Sequence, residues 1–360
     1  MTEEKIVEKK NKSPITIGKD ILELLSSGMY LDPLTIYREY IQNCCDSIED
    51  ALKQGIFADI IQSKVDINVN YIDRSVSIID NGAGIPKSKF LKTLLSFGNS
   101  SKRGTSARGF RGIGRLAGLA YCQELIFTSK YKGEDEISVL KWDCRKIKSL
   151  LIDHKIDLDL AEIVEMSTSS LTEKSENKEE HFFKVELKKI IRLKNDILLN
   201  SMEIEQYISQ TAPVPFSDNF KFKNEIKDML KEYFYLPEHN IYLNGNEKIT
   251  RLYRNTFEFS STTTDEINSF EKVEVTDNDN NVLAVGFLLH HSYLGAIHKN
   301  TKLSGLRARV GNIQIGNNLI FLDLYPEVRF NSWTIGELHV LSEKLIPNGR
   351  RDDFEKNNQY

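Results

Sequence analysis

The sequence predicts an α+β fold in two parts: an α/β sandwich with a mixed, largely antiparallel sheet, followed by a second α/β domain. Three observations carry that expectation. Period-two alternation over residues 65–69 and 75–78, with a turn at Asp73-Arg74 between them, predicts an antiparallel hairpin. A long amphipathic helix precedes the hairpin, and the strand candidates that follow do not alternate with helices as serial βαβ units would. The chain has 360 residues, more than one core comfortably serves.

In order, residues 1–14 are highly charged and read as a loose tail without a secretion signal. A short helix is expected over 17–27, with a turn at Gly28. Asp32-Pro33 is a helix start, with a side-chain acceptor at the cap and proline in the first turn, and Gly55 is the stop. Ile36, Tyr40, Cys44, Ile48 and Leu52 give this helix its apolar stripe, while Glu39, Asn43, Asp46 and Asp50 share another face. After the hairpin come Asp80-Asn81-Gly82-Ala83-Gly84-Ile85-Pro86 and a helix over 88–95. Residues 97–114, rich in glycine, serine and basic side chains, are expected to form a mobile loop leading into a helix over 114–120. Strands are expected at 124–128, 137–142 and 182–187, with the polar stretch 167–180 as an exposed insertion.

Thr211-Ala212-Pro213-Val214-Pro215-Phe216 marks the boundary between a first domain, 15–210, and a second, 211–360. The second is expected to hold a helix over 223–233, strands at Ile241–Leu243, 272–275, 282–289, 306–310 and Ile313–Ile315, and a helix over 335–341. Clear repeats are absent, which removes solenoids and propellers.

The formal charge of −4 argues against a nucleic-acid binder that works by bulk charge, so DNA is a partner the charge does not indicate. Four cysteines without a C-x-x-C pair fit reduced thiols in the cytoplasm. The apolar runs are too short to cross a bilayer, so no membrane partner is expected.

The chemistry lies in three segments. Glu39 and Asn43 are four apart and neighbours on one helix face, which Asp46 extends. An asparagine oxygen is a suitable hard ligand for Mg²⁺, and a carboxylate one turn earlier can orient and deprotonate a water. A plain polar helix face is the commoner meaning of that spacing taken alone. Asp80 ends a strand at a tight Gly82-x-Gly84 turn, where a buried carboxylate can accept from an exocyclic amine and the glycines let backbone approach a flat ring. Gly109-Phe110-Arg111-Gly112-Ile113-Gly114 opens a helix and would present unpaired amides to an anion. No G-K-[ST] follows, so it is not a Walker loop. Lys102, Arg103, Arg108 and Arg111 can add charge nearby; a solvated surface role is at least as open to each.

The order and spacing of Arg38-Glu39-Tyr40-Ile41-Gln42-Asn43-Cys44-Cys45-Asp46-Ser47, Asp80-Asn81-Gly82-Ala83-Gly84 and Gly109–Gly114 resemble the ATP-binding domain shared by Hsp90 chaperones, DNA gyrase B, MutL, histidine kinases and MORC ATPases, closest to the Hsp90- and MORC-like members. The resemblance covers 15–205 well and 210–355 loosely. It implies a Bergerat-type fold that binds ATP and Mg²⁺. In that reading Glu39 is the general base, Asn43 the Mg²⁺ ligand, and Asp80 the adenine-amine acceptor beside Gly84. The glycines at 109–114 hold phosphate, and 95–108 form a lid. Residues 336–352 are similar to the Hsp90 middle-domain stretch whose arginine reaches the γ-phosphate, which implies that role for Arg351, with Arg350 its rival. A solvated arginine pair is the equal alternative. The family's late-strand threonine is replaced by phenylalanine within His181-Phe182-Phe183-Lys184-Val185. The chain also stops where the chaperones continue into a dimerising domain. The expectation is a slow ATPase that closes a lid and rearranges domains or a nucleotide-dependent homodimer, with an unknown client and a chaperone-like role. A DNA-associated ATPase and a nucleotide-gated interaction module are the alternatives.

Overall fold

The computed structural model describes residues 32–96, 114–152, 158–246, 248–259 and 263–357. The helix expected over 17–27 lies outside them, as do Lys102, Gly109, Phe110, Arg111, Gly112, Ile113 and nearly all of the expected lid.

Helix α1 (Thr35–Lys53) begins and ends for the reasons the sequence suggests. Asp32 Oδ1 accepts the Leu34 N–H at 2.9 Å. At the other end Gly55 adopts φ 69°, the Ile56 N–H donates to the Ala51 carbonyl at 2.9 Å, and the Gly55 N–H donates to Leu52 at 3.1 Å. These are the paired bonds of a glycine-terminated helix. Burial is wider than one stripe. Tyr37, Arg38, Ile41, Gln42, Cys45 and Asp46 are buried along with Ile36, Tyr40, Cys44 and Ile48. The helix is therefore enclosed by structure on several sides.

The first sheet contains β1 (Val65–Asn70), β2 (Ser75–Asp80), β3 (Glu124–Lys130), β4 (Glu136–Asp143), β5 (Thr168–Lys174), β6 (Phe182–Lys188) and β7 (Ile241–Leu243), in the order β5-β4-β3-β6-β2-β1-β7. Every pairing is antiparallel except β1 with β7. Two expectations change here. The stretch 167–180, expected to be an exposed insertion, contains edge strand β5, whose residues are nearly all exposed and so carry no alternating signal. Strand β7, expected in the second unit, pairs with β1 through Val65↔Ile241. Ala212 and Val214 likewise stay in the first core, while Phe216 begins the second.

Helices α2 (Lys87–Leu95), α3 (Cys144–Ile152), α4 (Leu160–Ser167), α5 (Ser201–Thr211) and α6 (Lys223–Lys231) complete the α component. α4 starts with a capping box between Asp159 and Glu162, a legible signal that the sequence reading passed over. The helix expected over 114–120 is a 3₁₀ helix, Gly114–Ala120. Its glycines explain the tight approach to α1: a Cβ on Gly118 would sit 2.5 Å from the Tyr40 hydroxyl, which accepts the Gly118 N–H at 2.9 Å.

The hairpin β8 (Thr256–Glu258) and β9 (Thr264–Glu266) precedes a second sheet. That sheet comprises β10 (Ser269–Thr276), β11 (Val282–His290), β12 (Gly305–Val310), β13 (Ile313–Ile315) and β14 (Ile335–Val340), in the order β10-β11-β14-β12-β13. The helix expected over 335–341 is thus a central strand. Its alternation was disguised because the polar half is buried too. Glu337 accepts from the Tyr253 hydroxyl at 3.0 Å and lies 2.8 Å from Arg309 Nη2, with Arg251 on its other oxygen. Arg251 and Arg309 also donate to the Val214 and Gln210 carbonyls, at 3.1 and 2.7 Å, tying this sheet to the connector.

Candidate nucleotide site

Asp80 closes β2 in the middle of the first sheet, opposite Phe183 on β6, and is 1% exposed. Its two oxygens are used unequally. Oδ1 accepts the Ser47 hydroxyl at 2.9 Å and the Gly82 N–H at 2.8 Å. Oδ2 is buried and has no hydrogen-bond partner among the described residues. Burial pushes the carboxyl up to about 7, against the opposing pull of the Gly82 N–H, the Ser47 hydroxyl, the Cys44 thiol and the Phe183 N–H. Neither the thiol nor the Phe183 N–H completes a bond to Oδ2. A buried acceptor left open in this way is costly unless a donor arrives from outside.

Gly82 and Gly84 form the turn after Asp80, for a reason that differs from the sequence expectation. Both are demanded by the protein's own backbone. A Cβ on Gly82 would lie 2.3 Å from Ser47 Oγ and 2.6 Å from the Ser47 carbonyl carbon. Gly84 adopts φ 69°, and its Cβ would meet the Lys130 carbonyl oxygen at 2.2 Å. The Ala83 N–H donates to the Ser47 carbonyl at 3.1 Å, which fixes the turn against α1.

On α1, the Glu39 side chain is 11% exposed and its Oε1 lies 3.3 Å from Arg38 Nη2. Its Oε2 would be 2.2 Å from a Cβ on Gly114, so the first residue of the 3₁₀ helix must lack a side chain for the carboxylate to stay where it is. Asn43, one turn later, is half-buried, and its amide makes no hydrogen bond among the described residues. Asp46, expected to extend the same face, is 4% exposed.

The carboxy-terminal arginines separate cleanly. Arg351 donates from Nη1 to Gln42 Oε1, on α1 three residues after Glu39. Arg350 lines a cleft of about 590 Å³ with Asp32, Thr35, Gln314 and Asp352. Arg38 holds both from beneath, donating to the Arg350 carbonyl at 2.9 Å and the Arg351 carbonyl at 3.3 Å. Sequence reasoning gave no role to Arg38, Gln42, Ser47 or Arg115. Arg115 donates to the Ser96 carbonyl, joining the two flanks of the undescribed 97–113 segment, and its burial lowers the guanidinium to about 10. Only Arg38 and Gln42 carried a usable signal, Gln42 from lying within the Glu39–Asn43 turn and Arg38 from directly preceding it. Phe183, in the strand where the family has threonine, stacks on Phe127 with centroids 6.1 Å apart.

The arrangement pairs a buried acceptor with a carboxylate and an amide one helical turn apart, the amide without a hydrogen bond among the described residues. Residues 38–177 match the family model described as "Histidine kinase-, DNA gyrase B-, and HSP90-like ATPase". The chaperone protein HtpG of Hydrogenovibrio crunogenus (strain DSM 25203 / XCL-2) is 23% identical over 140 residues, covering 34% of this chain and 22% of that protein. The match therefore reaches less than a quarter of that relative's own length.

Proposed function

We propose that this chain binds ATP with Mg²⁺ and hydrolyses it slowly, a reading supported by the match of residues 38–177 to the histidine kinase-, DNA gyrase B- and HSP90-like ATPase model. The observation that carries the reading is the Asp80 carboxylate: one oxygen saturated, the other buried and open. The exocyclic amine of adenine is the donor that such an oxygen lacks. Asn43, whose amide makes no hydrogen bond among the described residues, is the residue to hold Mg²⁺, which would supply charge neutralisation at the phosphates when bound.

Glu39 is the general base, held by Arg38 and by the bare Cα of Gly114. Arg351 is the better placed of the two arginines to meet developing phosphate charge, since its side chain reaches Gln42 on α1, three residues after Glu39. In this reading residues 95–108 are the lid, and Gly109–Gly114 hold phosphate at its end. Lid closure, a nucleotide-dependent homodimer, a chaperone-like role and a cytoplasmic location belong to the same proposal. No helix among the described residues is long and apolar enough to cross a membrane.

Calorimetric ATP binding with Mg²⁺, paired with phosphate release, tests the reading on the wild type, Asp80→Asn and Glu39→Ala. Asp80→Asn should lose binding; Glu39→Ala should keep it and lose turnover. Undiminished ATP affinity in the Asp80 variant would sink the site assignment. Binding without phosphate release in the wild type would leave a nucleotide-gated interaction module.

A further inference from the structure

We infer that Ser47 is the residue that sets base selectivity at Asp80, restricting the carboxylate to a ligand offering one donor, as a 6-aminopurine does, and rejecting a 6-oxopurine. The inference rests on the proposed nucleotide reading and concerns the same site.

An ionised carboxylate has about four lone-pair positions, two on each oxygen. At Asp80 both positions on Oδ1 are filled from within the protein, by the Ser47 hydroxyl at 2.9 Å and the Gly82 N–H at 2.8 Å. Oδ2 alone remains for a ligand. Ser47 is fixed in this duty by its surroundings. It stands on α1, its carbonyl accepts the Ala83 N–H at 3.1 Å, and its Oγ lies 2.3 Å from where a Cβ on Gly82 would be. The hydroxyl, the turn and the carboxylate are thus packed into one rigid unit.

Adenine and guanine present opposite chemistry to such a unit. At position 6 adenine has an amine donor and guanine a carbonyl acceptor. A single open carboxylate oxygen satisfies the first and repels the second. Guanine has two adjacent donors, N1–H and the 2-amine, and a carboxylate recognises them with both oxygens side by side. That second mode is closed while Oδ1 is saturated. Removing the Ser47 hydroxyl vacates one position on Oδ1 and opens it. Sites built from buried polar groups discriminate strongly because the wrong ligand leaves a buried group unpaired.

Ser47 touches the carboxylate and not the base, so it is a positioning residue, and the decisive readout is a ratio of affinities. Non-hydrolysable ATP and GTP analogues with Mg²⁺ are titrated calorimetrically into wild type, Ser47→Ala and Asp80→Asn at pH 8.5, where Asp80 is ionised. Thermal melts verify folding, and Ser47→Thr serves as the variant that keeps the hydroxyl. The expected result is an ATP-to-GTP affinity ratio about tenfold smaller in Ser47→Ala than in wild type, with the ratio retained in Ser47→Thr. An unchanged ratio in Ser47→Ala, or equal weakening of both nucleotides, overturns the inference. In either case loss of ATP binding in Asp80→Asn leaves the nucleotide reading standing. Retained ATP binding in Asp80→Asn removes both.

Discussion

Replacing Asp80 by asparagine should make the nucleotide-free protein more stable at pH 8 while abolishing nucleotide binding. The carboxyl is raised from 3.8 to about 7 by burial, so the folded state holds a proton over a pH range where the unfolded chain has lost it. Stability from this group is therefore full below about pH 4, declines as pH rises toward about 7, and is flat above. At ~1.36 kcal/mol per unit, the buried charge destabilises the folded state at pH 8 by about 4 kcal/mol. Asparagine removes that charge and keeps an oxygen for the Ser47 hydroxyl and the Gly82 N–H. It also puts an amine where Oδ2 stood, a buried donor without an acceptor, at a cost of about 1–3 kcal/mol. The net expectation is a gain of about 1–3 kcal/mol. Thermal unfolding followed by circular dichroism would register it as a rise of ~2–4 °C per kcal/mol. The gain should shrink toward zero near pH 5, where the folded wild type is itself protonated. A lower melting temperature for Asp80→Asn at pH 8, or an offset that is the same at pH 5 and pH 8, would refute the reasoning. Function held against stability in this way is the usual mark of a binding site.

Three other outcomes follow from the same geometry. ATP affinity of the wild type should tighten by about tenfold as pH rises from about 6 to 8, because only the ionised Asp80 offers Oδ2 as an acceptor; calorimetry across that range measures it, and a flat profile counts against the assignment. Gly114→Ala places a methyl 2.2 Å from Glu39 Oε2 and should lower phosphate release by about 10²-fold, with ATP affinity nearly unchanged. Glu337→Gln leaves Arg251 and Arg309 buried without their counter-charge and should destabilise the protein by about 3–5 kcal/mol, read as a lowered urea midpoint.

What the sequence made legible was whatever depends on neighbours along the chain. The cap at Asp32, the glycine stop at Gly55 and the β1–β2 hairpin are local events, and each is found where local chemistry places it. The Glu39–Asn43 spacing is local as well. What stayed hidden depends on partners distant in sequence. β14 read as a helix because the residues completing its alternation, Glu337 and His339, are polar yet buried, and their neutralising arginines lie about 30 and 90 residues away. β5 has no buried face to mark it, and β7 joins a sheet whose other strands precede it by more than fifty residues. The same distinction governs the site. Gly82 and Gly84 stand out in the D-x-G-x-G spacing, but the backbone and side chain they approach are the protein's own Lys130 and Ser47, and no reading of D-x-G-x-G alone reveals that. Arg350 and Arg351 are adjacent, so motif alignment ranks them only by register. Arg351 has φ 57°, and the two guanidiniums go to different neighbours, one to Gln42 on α1 and the other to the cleft beside Asp32. The two residues are sent to these different neighbours by the backbone turn and by the Arg38 guanidinium that grips both carbonyls, 312 and 313 residues away along the chain.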